Sequence, residues 1–98
     1  MKVFLYTQPM CPYCDIMKEM LNEAGVEYET YDIKERPAAK EFLYYEGHKT
    51  VPQLYVGSTH INKKPNTRDY TAEELKTLID EEKASVWPWQ DSGIEGSL

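Results

Sequence analysis

The chain has 98 residues, 41% of them apolar and 12% aromatic, enough to fill one small core without metals or disulfide staples. Its mean hydropathy is −0.67 and it holds no long apolar run, which excludes a membrane-spanning helix. A formal net charge of −6 argues against nucleic acid as the main partner and favours solubility. The opening, Met1-Lys2 and then Val3-Phe4-Leu5-Tyr6, is too short and too mixed for a signal peptide. A cytoplasmic, reducing setting is therefore expected, where a Cys-x-x-Cys pair is rarely structural.

Val3 to Tyr6 reads as a short buried strand, and Thr7 to Met10 as a loop. A helix is predicted from Cys11, with Pro12 at the first helical position, where its missing N–H loses nothing. Ile16, Met17, Met20, Leu21 and Ala24 recur at helical spacing until Gly25. Met17 and Met20 read as core rather than as soft metal ligands. Val26 to Ile33 begins as an alternation of apolar and acidic residues, hence a second strand, parallel to the first with a right-handed crossover. Arg36-Pro37 opens a second helix with Ala38, Ala39, Phe42 and Leu43 as its inner face and Gly47 past its end.

Thr50-Val51-Pro52 leads into a third strand, Gln53 to Val56. Gly57-Ser58 turns the chain into an antiparallel fourth, Thr59 to Ile61. Asn62 to Tyr70 is a polar loop. Thr71-Ala72-Glu73-Glu74 is a capping-box signature ahead of a last helix with Leu75, Leu78 and Ile79 as its buried stripe. After Ala84 no helical or strand period remains. The reading is one domain over 1–84 and a C-terminal tail over 85–98, mobile at its end. Trp87 and Trp89 either fold back onto the body or form a partner-binding motif. Between Glu46 and Asp69 there is no carboxylate, while Lys49, Lys63, Lys64, Arg68 and both histidines fall there. That basic segment is either an attractor for a small anion or a loop of ordinary solvated lysines.

Cys11-Pro12-Tyr13-Cys14 holds the only two cysteines of the chain. A dithiol at this spacing closes a disulfide within one turn of chain. At a helix N-terminus, free backbone N–H groups and the positive end of the dipole favour the thiolate. The dipole alone contributes about 0.3–1 kcal/mol, under one pKa unit, so hydrogen bonds must supply the rest. Cys14, one turn deeper, should be shielded, which makes Cys11 the attacking thiol and Cys14 the resolving one. Asp15 is either an opposing charge or a favourable first-turn acid. Zinc would need two more ligands. Only His48 and His60 are at hand, at no spacing typical of a zinc finger, so no metal is expected.

These motifs resemble a dithiol glutaredoxin, a member of the thioredoxin-fold proteins. Cys11-Pro12-Tyr13-Cys14 matches that family's dithiol motif, and Thr50-Val51-Pro52-Gln53 matches its cis-proline segment, over a resemblance covering about residues 2 to 83. What the resemblance implies is an α/β thioredoxin fold, a four-stranded mixed sheet flanked by three helices in the order β-α-β-α-β-β-α. It further implies reduction of glutathione mixed disulfides and protein disulfides, with glutathione as co-substrate. Carried over by position, Tyr13 would line a glutathione groove. The Val51 backbone, followed by a cis Val51–Pro52 peptide, would pair with the tripeptide, with Thr50 beside it. Without the resemblance, Pro52 would read as a trans proline at the start of a strand.

Two departures stand out. Relatives commonly carry Lys or Arg where this chain has Gln8, and a Gly-Gly pair close to the last helix where this chain has the longer 62–70 loop. Thr71 and Ala72 would offer helix N-terminal amides to a carboxylate. Lys49, Lys63, Lys64 or Arg68 would replace the missing charge. Three functional readings stay open: a glutathione-dependent oxidoreductase, with an enzyme such as ribonucleotide reductase among its partners; a glutaredoxin-like protein reduced by thioredoxin reductase; and an iron–sulfur carrier, disfavoured by Pro12 and the second cysteine. A monomer is expected.

Overall fold

The computed structural model describes residues 2–64 and 66–94, with side chains described as far as Ala84. In chain order it contains β1 (Val3–Thr7), α1 (Pro12–Glu23), β2 (Glu29–Asp32), α2 (Pro37–Tyr45), β3 (Gln53–Val56), β4 (Thr59–His60) and α3 (Ala72–Ile94). A single 3-10 turn, Thr67–Asp69, precedes α3. The strands lie in the order β2-β1-β3-β4. β1 runs parallel to β2, and β3 runs antiparallel to both β1 and β4. The mixed sheet and the three helices are those expected from the sequence.

Successive side chains of a strand face opposite ways, so β1 and β3 divide the core in two. Val3, Leu5, Leu54 and Val56 point to one face, where Met17 and Leu21 of α1 meet Leu75 and Ile79 of α3. Tyr6 and Tyr55 point to the other, against Ala39 and Leu43 of α2. That second face is aromatic: the Tyr6 ring centroid lies 5.5 Å from those of Tyr31 and Phe42 and 5.6 Å from that of Tyr55. The sheet is thus held between α1 and α3 on one side and α2 on the other, which leaves the carboxyl end of β1 to deliver the chain into α1.

Four details differ from the expectations. β2 starts at Glu29 rather than Val26, because the Val26 amide donates to the Leu21 carbonyl (3.0 Å) and is spent closing α1. Ala38 is exposed; Ala39 and Leu43, four apart on one face of α2, carry the burial. β4 ends at His60, although the Ile61 amide still donates to the Leu54 carbonyl at 2.8 Å. α3 does not stop near Ala84 but continues to Ile94. Extending an existing helix needs no new nucleus, so it outlasts the apolar period that marks its buried part. The expected placement of the Trp87 and Trp89 rings and the mobile end lie outside the described residues.

Gly25 and Gly47 end α1 and α2 at φ of +73° and +88° with open space around them, so the backbone conformation, not crowding, requires glycine. The capping box forms as read: the Thr71 amide donates to the Glu74 carboxylate (3.0 Å) and the Glu74 amide to the Thr71 hydroxyl (3.1 Å).

Candidate active site at the start of the first helix

Cys11 is the N-cap of α1, in extended conformation, with Pro12 behind it at the first helical position. Its sulfur accepts a hydrogen bond from the Cys14 amide at 3.1 Å. This is the donor a thiolate needs, provided by one of the free N–H groups of the helix start. The two sulfurs are joined as a disulfide, with Cα atoms 5.2 Å apart. Cys11 is 9% exposed and Cys14 1%, so an outside molecule reaches Cys11 first. Met10, just before it, has φ of +57° and is almost fully exposed. A left-handed methionine is uncommon, and here it turns the loop abruptly into the helix.

The Val51–Pro52 peptide is cis, and the Val51 carbonyl oxygen lies 3.9 Å from the Cys11 sulfur. Two side chains clamp this segment. Asn62, buried, donates to the Pro52 carbonyl (3.1 Å) and accepts from the Leu54 amide (2.8 Å). Gln53 donates to the Thr50 carbonyl at 3.0 Å. Asn62 therefore does for β3, with its side chain, what a longer β4 would do with its backbone.

Tyr13, Thr50, Val51 and Pro52 line a groove of about 520 Å³ beside the cysteines. His48, His60, Lys63 and Thr67 line it too. Gln8 lies elsewhere, in a small cavity of about 130 Å³ that it shares with Lys40, Lys49, Thr50 and Val51. Arg68 stacks its guanidinium over the Tyr13 ring, 5.7 Å from the centroid. Thr71 and Ala72 are not among the described residues lining either space, and the Thr71 amide is occupied by Glu74. The turn at Thr67–Asp69 precedes α3 and brings Arg68 over the Tyr13 ring, and Thr67 takes the position beside the groove that the sequence reading gave to the helix start.

Lys40, Asn62 and Thr67 escaped the sequence reading. Lys40 lies within a helical pattern, and a buried loop asparagine has no period to reveal it. The histidines sat in the basic segment already singled out. A larger cavity, of about 760 Å³, lies between β4 and α3 with neither cysteine nor Tyr13 in its walls. Chemistry and not size identifies the site. Among the described residues, no three His, Cys, Asp or Glu side chains converge as a metal site.

The glutaredoxin family model matches residues 3–61. A glutaredoxin from Neisseria meningitidis is 38% identical over 61 residues, which span 60% of this chain and 72% of the relative. Glutaredoxin 3 of Escherichia coli is 35% identical over 60 residues, again 60% of this chain and 72% of the relative. Among solved structures, the thioredoxin-like protein BC3987 superposes with a TM-score of 0.61 at 32% identity, covering 79% of this chain and 99% of that one.

Proposed function

On the premise that this chain belongs to the glutaredoxin family and is a thiol–disulfide oxidoreductase, we propose that glutathione is its reductant and that Cys11 is its nucleophile. The observation that carries the reading is the N-cap sulfur of Cys11, the more accessible cysteine of the pair, beside the Val51 backbone, with a groove running on from Tyr13. The Cys11 thiolate attacks the glutathione sulfur of a mixed disulfide; a Cys11–glutathione disulfide forms and the substrate leaves as thiolate. A second glutathione thiolate attacks the glutathione sulfur, releasing glutathione disulfide and restoring the Cys11 thiolate. With a protein disulfide, Cys14 instead attacks the sulfur of Cys11, closing the Cys11–Cys14 bond and expelling the substrate thiol.

In this reading an extended tripeptide pairs with the Val51 backbone, as an added strand pairs with a sheet edge. One end reaches toward Gln8, where Lys40 and Lys49 supply the charge that Gln8 lacks. The other reaches past Tyr13 toward Thr67, with Arg68 over the ring. Arg68→Ala is expected to raise KM for a glutathione mixed disulfide about threefold to tenfold with little change in kcat, an exposed cation contributing about 1 kcal/mol. Unchanged kinetics would remove Arg68 from the site. Protein disulfides, including one on an enzyme such as ribonucleotide reductase, and a monomeric, cytoplasmic protein belong to the same proposal. Every group it uses lies within residues 1–84, so 85–98 is proposed as an appendage to that unit.

A second reading, reduction by thioredoxin reductase, draws on the uncharged Gln8 and on the likeness to a thioredoxin-like protein. The two are separated by coupling turnover either to glutathione, glutathione reductase and NADPH or to thioredoxin reductase and NADPH. Turnover in the first assay supports glutathione. Turnover in the second assay alone overturns it.

A further inference from the structure

The groove beside Cys11 is cationic on an acidic chain. No carboxylate is among its described lining residues, while Lys63, Lys64, His48 and His60 all border it. The histidines come from different elements, His48 from the loop after α2 and His60 from β4, yet their ring centroids are 4.5 Å apart.

Hydrogen bonds settle which nitrogen of each ring carries its proton. The Tyr55 hydroxyl donates to the Glu46 carboxylate (3.0 Å), so its oxygen accepts from His48 Nε2–H at 2.7 Å. Gln53 donates through its amide nitrogen to Thr50, so its carbonyl oxygen accepts from His60 Nε2–H at 2.8 Å. Both Nε2–H groups are committed inside the protein, and Nδ1 is each ring's remaining site for a proton. With the ring centroids 4.5 Å apart, two imidazolium charges would repel one another.

The groups facing the pair are Tyr55 of β3, Glu46 after α2, and Lys63 after β4. Burial and then His48 hold His60 below the ordinary imidazole range, with Lys63 acting in the same direction; its contact with Asn62 and the charge of Glu46 act in the opposite one.

We propose that His48 and His60 are specificity-determining residues for anionic disulfides: a carboxylate-bearing substrate in the groove draws one proton from solvent onto the pair, and the resulting imidazolium holds it beside Cys11. This rests on the proposed glutathione reading and adds to it a preference that changes with pH. The proton uptake involves no electrons, and the sulfur exchange proceeds as above. Lys63 contributes a constant charge; the histidine pair contributes a conditional one.

The test is stopped-flow oxidation of the reduced protein by three disulfides: glutathione disulfide (anionic), bis(2-hydroxyethyl) disulfide (neutral) and cystamine (cationic). Dividing each rate by the neutral one cancels the titration of Cys11, which all three share. Glutathione disulfide holds its net charge across the range. The glutathione-to-neutral ratio is expected to rise about fivefold as the pH falls from about 8 to about 5, because lower pH protonates the pair, and the cystamine ratio is expected to fall. His48→Gln and His60→Gln should each flatten both profiles. Lys63→Gln should lower the glutathione ratio at every pH and keep its slope. A slope that persists in both histidine variants overturns the proposal. So does a wild-type preference for glutathione disulfide that is flat with pH, an outcome that leaves the glutathione reading standing. No preference at any pH removes the glutathione reading itself.

Discussion

Cys11→Ser is expected to abolish disulfide reduction, whereas Cys14→Ser should keep turnover of a glutathione mixed disulfide and lose that of a protein disulfide. The asymmetry comes from position. Cys11 caps α1, accepts the Cys14 amide at 3.1 Å and is the more exposed sulfur; Cys14 is sealed one turn deeper at 1% exposure. A serine hydroxyl at the cap keeps the hydrogen bond but does not ionise at neutral pH, so nucleophilic attack on sulfur fails. The loss should be at least about a thousandfold, the scale seen when a nucleophile is removed. In Cys14→Ser the mixed disulfide on Cys11 is resolved by outside glutathione, and turnover should stay within about threefold of the parent. With a protein disulfide the same variant should stall as a covalent complex visible by non-reducing electrophoresis. Coupled steady-state assays on both variants decide it: equal loss in both with glutathione would mean that Cys14 takes part in every cycle, and survival of Cys11→Ser would exchange the two roles.

How much of this was open to reading depends on whether a residue's role is local. Cys11, Pro12 and Cys14 announce themselves because cap, first helical position and dithiol spacing all lie within one turn. The apolar residues of β1 and the 3.6-residue period in α1 and the first part of α3 read as core for the same reason. The cis peptide at Val51–Pro52 was implied by the family resemblance; the residues alone favoured trans. What stayed hidden is what distant segments make together. Nothing in the sequence near Asn62 says that its amide will complete the edge of β3, since both its partners lie eight to ten residues upstream. Lys40 reaches the cavity around Gln8 only because α2 crosses the back of the sheet, and His48 meets His60 only because β3 and β4 form a hairpin. The 62–70 loop was rightly taken as irregular, but its 3-10 turn puts Thr67 at the groove and leaves Thr71 to its own capping box.

Asn62 is where fold and function should fail together. Asn62→Ala removes the partner of two backbone groups at once, the Pro52 carbonyl and the Leu54 amide, in a place where the side chain is 7% exposed and Leu54 is fully buried. A buried backbone group left without a partner costs about 1–3 kcal/mol, so the variant should lose about 2–5 kcal/mol, a large share of the stability of a small domain. Asn62→Asp divides the effect: a carboxylate still accepts from the Leu54 amide but has no N–H for the Pro52 carbonyl, and it brings a negative charge to a groove that Lys63 and Lys64 border. Denaturant titration is the measurement, with the midpoint lowered and the slope unchanged if only stability has moved. Because the Pro52 carbonyl is tied by Asn62 and the Val51 carbonyl lies 3.9 Å from the Cys11 sulfur, loss of the tie should also raise KM for a glutathione mixed disulfide. A midpoint shift worth less than about 0.5 kcal/mol would show that water readily replaces the asparagine. The clamp on the cis-proline segment would then have to come from Gln53 and the β1–β3 pairing alone.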